Sequence, residues 1–161
     1  MDKGFIVVGY QGIGKSTLAN SGNGRYIDLE SSNFFVDNDR ASNWATIYVN
    51  IAESLANQGY IVFVSSHTEV RIVLRNCHCD VGLIFPDTLL KDAWILKLKN
   101  RYFETESQKD FKAWQNAKNL YESSIRDLMH FPKKSCIIDD MNYNLETIVG
   151  LLKEKIDESK A

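Results

Sequence analysis

The sequence predicts an α/β fold built around a parallel β-sheet. Short apolar runs alternate along the chain with segments that have the three- and four-residue apolar spacing of helices, a pattern typical of βα units. The runs are apolar almost throughout, as expected for strands that helices cover on both faces. No repeat or linker divides the 161 residues, so we expect one domain spanning residues 1–161.

Five apolar runs are predicted to form the strands of this sheet. They are Phe5–Gly9, Tyr26–Leu29, Ile61–Ser65, Val81–Phe85 and Cys136–Asp139. Helical patterns fill the gaps between them, so each strand is expected to return to the sheet through a helix.

Six helices are predicted between and after these strands. They begin at Lys15, near Trp44, near Thr68, after Asp87, at Ser107 and near Leu145, and the third is expected to end at about Cys77. Ser107 and Asp110 form a Ser-x-x-Asp capping pattern, and Asn144 is a suitable N-cap for the last helix. The fourth and fifth helices follow one another without a strand between them. We expect them to form a mobile covering segment with its tip near Phe103–Glu106, and their aromatic stripes to be core.

Composition and charge exclude several classes of protein. A net charge of −2 does not suggest a general nucleic-acid binder or a membrane-surface protein. The chain has no apolar run of the roughly 20 residues that a membrane helix needs, and no signal-peptide pattern. The three cysteines (Cys77, Cys79 and Cys136) argue against a disulfide framework, and Cys77-His78-Cys79 has the wrong spacing for a zinc knuckle. We therefore expect a soluble cytoplasmic protein.

The strongest motif is Gly9–Thr17, which reads GYQGIGKST and matches G-x-x-x-x-G-K-[ST] in full. The glycines let the backbone curl and turn its N–H groups inward, and the following helix adds partial positive charge. The predicted phosphate-binding residues are Gln11, Gly12, Ile13, Gly14, Lys15, Ser16 and Thr17. Lys15 is expected to reach the β- and γ-phosphates and Ser16 to ligate Mg²⁺. The motif thus predicts ATP, or a close relative, and Mg²⁺ as ligands.

Two large classes that share this motif are disfavoured by what the rest of the chain lacks. A GTPase needs a D-x-x-G segment, and no glycine here has an aspartate three residues before it. Its base-reading motif is approached only by 116–119 (NAKN), in the wrong order and inside a helical pattern. A motor-type ATPase usually has paired acids after a central strand, whereas Asp139 and Asp140 follow the last one. A small kinase remains.

At this point the chain resembles a known family. The phosphate loop, the element order over nearly the whole chain, and the segments 27–34 (IDLESSNF) and 65–71 (SSHTEVR) are similar to P-loop nucleoside monophosphate kinases and shikimate- and gluconate-kinase-like proteins. The short phage-type nucleotide-kinase-like proteins are the most similar. The resemblance implies a P-loop NTPase three-layer sandwich with helices on both faces and strand order 2-3-1-4-5. It also implies an acceptor-binding segment at about 31–58 and a helical lid at about 87–130.

The resemblance suggests residues that hold the phosphoryl acceptor. An acceptor phosphate needs arginines, and Arg40 and Arg71 stand where family members carry them. The alternative for both is a solvated helix charge. His67 shares the edge of the sheet with Arg71. It contacts the acceptor, caps the third helix or is simply a histidine whose hydrogen bonds are satisfied within the protein.

Two acids follow the second predicted strand. By resemblance, Asp28 holds Mg²⁺ through water or acts as a base toward a hydroxyl acceptor, and Glu30 binds a sugar hydroxyl. The alternative for each is an N-cap or a surface acid. The chain departs from many family members at the end of the third predicted strand, where Val64-Ser65-Ser66 replaces an aspartate.

The covering segment carries few arginines. By resemblance, Arg101 crosses the phosphates on closure, with Arg126 a weaker candidate, while Lys97 and Lys99 are interpreted as a solvated helix face. The predicted tip is acidic and has no arginine. By resemblance, the loop after the last strand, residues 141–144, contacts the adenine, and Asp139 and Asp140 are expected to cap that turn.

Together these patterns predict ATP-dependent phosphoryl transfer to a small acceptor, most simply a nucleoside or deoxynucleoside monophosphate. One alternative is a kinase for a hydroxyl-bearing small molecule or a nucleic-acid 5′-hydroxyl, with Asp28 as base. The other is a regulatory ATP-binding protein with little turnover, which the arginine-poor lid and the missing third-strand aspartate favour. The expected protein is a monomer or homodimer without membrane partners.

Overall fold

The computed structural model describes residues 3–31, 35–36, 39–40 and 42–160. Its strands are β1 (Phe5–Gly9), β2 (Tyr26–Asp28), β3 (Phe35–Val36), β4 (Asp39–Arg40), β5 (Ile61–Val64), β6 (Val81–Pro86) and β7 (Lys134–Ile138). Its helices are α1 (Lys15–Ala19), α2 (Trp44–Asn57), α3 (Thr68–Leu74), α4 (Lys91–Thr105), α5 (Gln108–Met129) and α6 (Leu145–Glu158). A 3₁₀ turn at Thr88–Leu90 leads into α4.

Five of the strands form one parallel sheet in the order β2-β5-β1-β6-β7. Val7 at its centre pairs with Phe63 on one side and with Gly82 on the other. All residues of β1, β5 and β6 are buried, which requires cover on both faces of the sheet. When only the five strands of this sheet are counted in chain order, the observed order is 2-3-1-4-5. The predicted α/β class, the five parallel strands and their order are confirmed.

The helix starts follow the capping chemistry expected from the sequence. Ser107 Oγ accepts a hydrogen bond from Asp110 N at 3.1 Å, and Asn144 Oδ1 accepts one from Thr147 N at 3.0 Å. Both caps satisfy N–H groups that have no partner within the first turn of a helix. The Asp110 carboxylate does not reach back to the Ser107 N–H, which bonds Thr105 Oγ1 instead.

Two features differ from the sequence prediction. Strands β3 and β4 form an antiparallel pair inside the predicted acceptor segment, and two-residue strands are too short to show a periodicity. Helix α3 ends at Leu74, short of the expected Cys77, because the chain turns there and the Cys77 N–H bonds the Leu74 carbonyl at 3.2 Å.

Helices α4 and α5 pack together as a helical hairpin. The turn between them lies at Glu106, whose φ of 54° is left-handed, so the predicted tip position is confirmed. Trp94 and Tyr121 are buried, as expected for core aromatics, whereas Phe103 near the tip is 61% exposed. None of the helices described is long and apolar enough to cross a membrane.

Candidate active site

A glycine-rich turn joins the carboxyl end of β1 to the start of α1. Gly12 and Gly14 have φ values of 87° and 103°, a region that side chains other than glycine rarely adopt. A Cβ atom on Gly9 would lie 2.6 Å from Ile13 Cδ1, so the turn is also too tight for a side chain at its first residue. Gly12 and Gly14 are therefore explained by backbone geometry, and Gly9 by the side chains that pack against it.

Side chains from distant elements bind the carbonyl groups of this turn. Trp94 Nε1 donates to the Gln11 carbonyl at 2.8 Å, and the Tyr143 hydroxyl donates to the Ile13 carbonyl at 2.7 Å. The N–H groups of residues 11–17 have no acceptor in the described part of the chain. Backbone N–H groups are almost always satisfied by some partner, and a curled run of them makes an anion-binding concavity.

The Lys15 ammonium lies over the same turn. Its Nζ is 3.4 Å from the Gly9 carbonyl, and no carboxylate forms an ion pair with it among the described residues. Burial lowers the pKa of Lys15, and the negative charges of Asp28 and Glu30 oppose this shift from a greater distance. A desolvated ammonium without a close counter-ion is a site that a phosphate would neutralise.

Asp28 ends β2 beside α1, which packs against that strand. Its carboxylate makes no hydrogen bond or ion pair with any described residue, and neither does the Ser16 hydroxyl. Desolvation raises the pKa of Asp28, while Lys15 acts in the opposite direction. Oxygen donors that lack protein partners fit Mg²⁺, which binds few protein ligands and keeps several waters.

A cavity of about 830 Å³ opens beyond the phosphate loop. Its lining includes Gly9, Gln11, Lys15, Glu30, Ser31, Ser65, Ser66 and His67, together with the residues of α5 between Gln108 and Leu120 that face the sheet. It lies where the carboxyl ends of β1, β2 and β5 meet, which is where open α/β sheets bind ligands. Of the predicted site residues, Gln11, Lys15, Glu30 and His67 are thus brought together.

Of the two predicted acceptor arginines, only Arg71 has a described side chain, and it is not part of this lining. Arg71 donates from Nε to the Ser66 carbonyl at 3.0 Å and from Nη2 to Thr68 Oγ1 at 3.2 Å, so it is folded back on the start of α3. The backbone of Arg40 lies in β4, and its side chain is outside the described part of the chain. Whether either arginine binds an acceptor stays a prediction.

His67 occupies the N-cap position of α3 but does not cap it. Its Nδ1 lies 2.7 Å from Ser65 Oγ, and its ring packs edge-on against Trp44 at 5.8 Å between centroids. The helix-capping interpretation of His67 is therefore wrong, because the imidazole is already bound to Ser65 at the rim of the cavity.

Helix α5 connects both sides of the site. Gln11 Nε2 donates to the Ala113 carbonyl at 3.0 Å and to Asn116 Oδ1 at 3.2 Å, which joins the phosphate loop to the helix. Lys109 forms an ion pair with Glu30 at the end of β2. The sequence interpretation missed Lys109, although the polar face opposite the aromatic stripe of α5 was a signal; such faces usually meet only solvent.

Arg101 lies near the site but is engaged at the tip of the helical hairpin. Its Nε is 3.1 Å from an oxygen of Asp110, whose other oxygen accepts from Thr105 Oγ1 at 2.5 Å. Asp110 is only 6% exposed. The positive charge of Arg101 adds to the lowering of the Lys15 pKa, and it partly offsets the raised pKa of Asp28. Arg126, in contrast, is exposed in the last turn of α5, and Lys99 is exposed on α4.

The interpretation of Lys97 as part of a solvated face is wrong. Its Nζ is 2.9 Å from the Tyr143 hydroxyl and 4.4 Å from the centroid of the Trp94 ring. Burial lowers the pKa of Lys97 and raises that of Tyr143 to about 12. Lys97, Trp94 and Tyr143 therefore form a clamp, which we call the loop clamp, that holds the carbonyl side of the phosphate loop.

The turn after β7 positions the loop clamp. Asp140 Oδ1 accepts from the Asn142 N–H at 2.8 Å, which confirms the predicted capping role of Asp140. The next residue, Tyr143, stacks on Trp94 with ring centroids 5.9 Å apart. The segment 141–144, predicted to contact the adenine, thus lies against the phosphate loop through its tyrosine.

A scan against protein-family models finds no family that matches this chain, and no curated protein sequence matches it. The function is therefore inferred from the residues of the site. They combine an anion-binding turn, an ammonium with no ion-pair partner among the described residues, and a cavity of nucleotide size at the carboxyl edge of a parallel sheet.

Proposed function

We propose that this chain is a P-loop kinase that transfers a phosphoryl group from ATP to a small acceptor, most simply a nucleoside or deoxynucleoside monophosphate. The observation that carries the proposal is the turn after β1. In the part of the chain that the structure describes, the N–H groups of residues 11–17 lack acceptors and surround an ammonium without an ion-pair partner. A polyphosphate satisfies such a site best, because it supplies several anionic oxygens at once to the N–H groups and the ammonium.

The donor nucleotide is assigned to the phosphate loop. The N–H groups of Gln11 to Thr17 bind the phosphate oxygens, and Lys15 neutralises charge on the β- and γ-phosphates. Ser16 would hold Mg²⁺ directly, with Asp28 acting through water. A Mg²⁺ ion held there would neutralise part of the negative charge of the phosphates.

The acceptor is assigned to the cavity between the carboxyl end of β5 and α5. Its volume of about 830 Å³ suits a nucleotide. Ser65, Ser66 and His67 offer hydrogen-bonding groups on the sheet side, and Lys109 and Lys112 add positive charge on the helix side. A monophosphate placed there meets cations of α5 in addition to any arginine of the acceptor segment.

The α4–α5 hairpin is assigned the role of lid. It already contacts the phosphate loop through Gln11 and the acceptor edge through the Lys109–Glu30 pair. A lid that closes over the donor and acceptor excludes water, which would otherwise compete as the nucleophile.

One observation favours a hydroxyl as the acceptor instead. The Asp28 carboxylate has no partner among the described residues, and desolvation raises its pKa, which makes it a better base toward a hydroxyl proton. In addition, none of the arginine side chains described lines the cavity. A kinase for a hydroxyl-bearing small molecule or a 5′-hydroxyl end is therefore the second candidate.

The deciding experiment measures ADP release from Mg·ATP in the presence of each ribo- and deoxynucleoside monophosphate. Stimulation by one or a few of them, lost in Lys15→Ala and kept in Lys99→Ala, is the expected result. Lys99 is a suitable control because it is an exposed lysine on α4 that lies outside the cavity. No stimulation by any monophosphate, with ATP still bound, would rule out the monophosphate acceptor.

A second set of variants separates the two acceptor types. Asp28→Asn should abolish transfer to hydroxyl acceptors but only reduce transfer to monophosphates, and Asp139→Asn is the matched control. Asp139 is an exposed acid after β7 with no described partner. If neither acceptor type supports turnover, the regulatory ATP-binding alternative is favoured.

A further inference from the structure

At the end of the sheet opposite the phosphate loop, two thiols and a carboxylate lie together. Cys77 and Cys79 belong to the loop between α3 and β6, and Glu53 lies on α2. The two sulfur atoms are 3.3 Å apart, and both are within 4.8 Å of a carboxylate oxygen of Glu53. All three residues are half-buried, so water and small ions can reach them.

The carboxylate is held in place by the loop that carries the thiols. The backbone N–H of His78 donates to Glu53 Oε1 at 3.1 Å, and the Cys77 thiol donates to the Cys79 carbonyl at 3.4 Å. Hydrogen bonds of this kind orient ligand groups before a metal binds. The cluster therefore does not depend on three independently mobile side chains.

We propose that Cys77, Cys79 and Glu53 form a binding site for a thiophilic divalent cation, with Zn²⁺ the ion that fits best. With zinc–sulfur bonds of about 2.3 Å, two thiolates of a tetrahedral site lie about 3.8 Å apart. The observed 3.3 Å requires the sulfur atoms to separate by only a few tenths of an ångström. Water completes the fourth position.

The mixture of donors selects the ion. Mg²⁺ and Ca²⁺ prefer oxygen ligands and disfavour two thiolates, and Cu(I) prefers thiolates without a carboxylate. Zn²⁺ accepts sulfur and oxygen in the same site.

A bound ion would join α2 to the loop that leads into β6. That loop lies at the amino ends of the strands, where the Asp80 carbonyl accepts from the Ile6 N–H at 2.9 Å. Because the ion binds the folded arrangement, it stabilises the fold, and the stabilisation rises with the logarithm of the ion concentration once that concentration exceeds Kd. The site is at the opposite end of the sheet from the phosphate loop, so its test does not depend on the proposed kinase activity.

The test uses the reduced full-length chain titrated with Co²⁺, followed by displacement with Zn²⁺. We expect one Co²⁺ per chain, with a thiolate-to-cobalt charge-transfer band that Zn²⁺ abolishes. Cys77→Ser or Cys79→Ser should lower the affinity roughly 100-fold and reduce the band. Glu53→Gln should lower the affinity roughly tenfold while the band remains.

Cys136→Ser is the matched control, because Cys136 is a buried thiol in β7 outside the cluster. It should keep the affinity and the band, as should His78→Ala if the imidazole is not a ligand. Far-ultraviolet circular dichroism checks that each variant folds. In the wild-type chain, Zn²⁺ should also slow alkylation of two thiols and raise the Tm.

Three outcomes would overturn the proposal. They are the absence of a charge-transfer band in the reduced chain, a band that persists when Cys77 and Cys79 are both replaced, and a band that is lost in Cys136→Ser. A disulfide between Cys77 and Cys79 in the isolated chain, with no Co²⁺ binding after its reduction, would indicate a redox pair instead of a metal site.

Discussion

The phosphate loop and the acceptor side of the cavity are built in different ways. The loop is one continuous segment, Gly9–Thr17, and its ligand groups are backbone N–H groups whose direction depends on glycine conformation. The acceptor side combines the ends of β2 and β5 with one face of α5, and its groups are side chains. The first region is therefore specified locally, and the second only by packing.

This difference affects how each region responds to substitution. Substitutions in the phosphate loop alter a turn that requires glycine conformations or remove the charge of Lys15. Their effects on stability and activity should therefore be large and difficult to compensate. Changes on the acceptor side act through exposed or half-exposed side-chain pairs, which contribute little individually. Five substitutions, in order of decreasing expected effect, test this contrast.

Replacing Lys15 by alanine should have the largest effect. If the proposed function holds, ADP release should fall roughly 100-fold or more, because the only loop cation is lost. The same variant should raise the Tm by a few degrees, since burial lowers the pKa of Lys15 and the charged form costs stability. The stability cost of the buried charge is fully present below the lowered pKa of the folded state. It disappears as pH rises toward 10.5, the ordinary pKa that Lys15 has in the unfolded chain, so the gain in Tm should shrink at alkaline pH. An unchanged ADP-release rate would contradict the assignment.

Gly12→Ala should follow. The alanine would have to adopt a φ of 87°, and its Cβ would lie 2.8 Å from Leu98 Cδ2. We therefore expect a loss of about 3 kcal/mol in the free energy of unfolding. Gly22→Ala measures the part of this stability loss that comes from backbone conformation alone, because the φ of Gly22 is also 87° and a Cβ there meets no atom within 4 Å. Urea denaturation measures both, and equal losses would mean that contact with α4 does not matter.

Tyr143→Phe tests the loop clamp. It removes the hydrogen bond to the Ile13 carbonyl, which should cost about 1 kcal/mol of stability and raise the Kd for nucleotide several-fold. Tyr60→Phe is the control, since no described partner bonds the Tyr60 hydroxyl. Calorimetric titration with ATP checks the affinity. Unaltered binding would show that the loop keeps its shape without the clamp.

Asp28→Asn should change the pH dependence of stability. The pKa of Asp28 is raised above its ordinary 3.8 in the folded state, so the unfolded chain loses this proton first as pH rises. The wild-type chain therefore loses stability between 3.8 and the raised value, and the variant does not. We expect equal stability at the acid end and a more stable variant at neutral pH, measured by urea denaturation across this range. Asp139→Asn should show no such divergence.

The smallest effect is expected for Lys109→Ala on the acceptor side. The Lys109–Glu30 pair is largely exposed, so its loss should cost less than about 1 kcal/mol and the difference should vanish at high salt. If Lys109 holds the acceptor, the variant should instead raise the acceptor KM with little change in kcat. A stability loss as large as that of Gly12→Ala would remove the contrast between the two regions.

The sequence predicted more of the fold than of the site. The parallel sheet followed from βα alternation, its strand order from the resemblance, and the caps at Ser107 and Asn144 from local chemistry. The β3–β4 pair was missed because two residues carry no periodic signal. The prediction for Lys97 was wrong because the local sequence does not distinguish a helical lysine that packs on an aromatic ring from one that faces solvent.

The sequence by itself determined the phosphate loop and the parallel sheet that presents it. The glycine conformations of the loop, the apolar runs of the strands and the helix caps are properties of short segments. They can therefore be recognised in the sequence, even though the strands themselves pair over long sequence distances. Only the tertiary structure decided that Lys97, Trp94 and Tyr143 clamp the loop, that Lys109 pairs with Glu30, and that Glu53 joins Cys77 and Cys79. These contacts join residues far apart in sequence, and which of many polar side chains meet depends on how the helices pack.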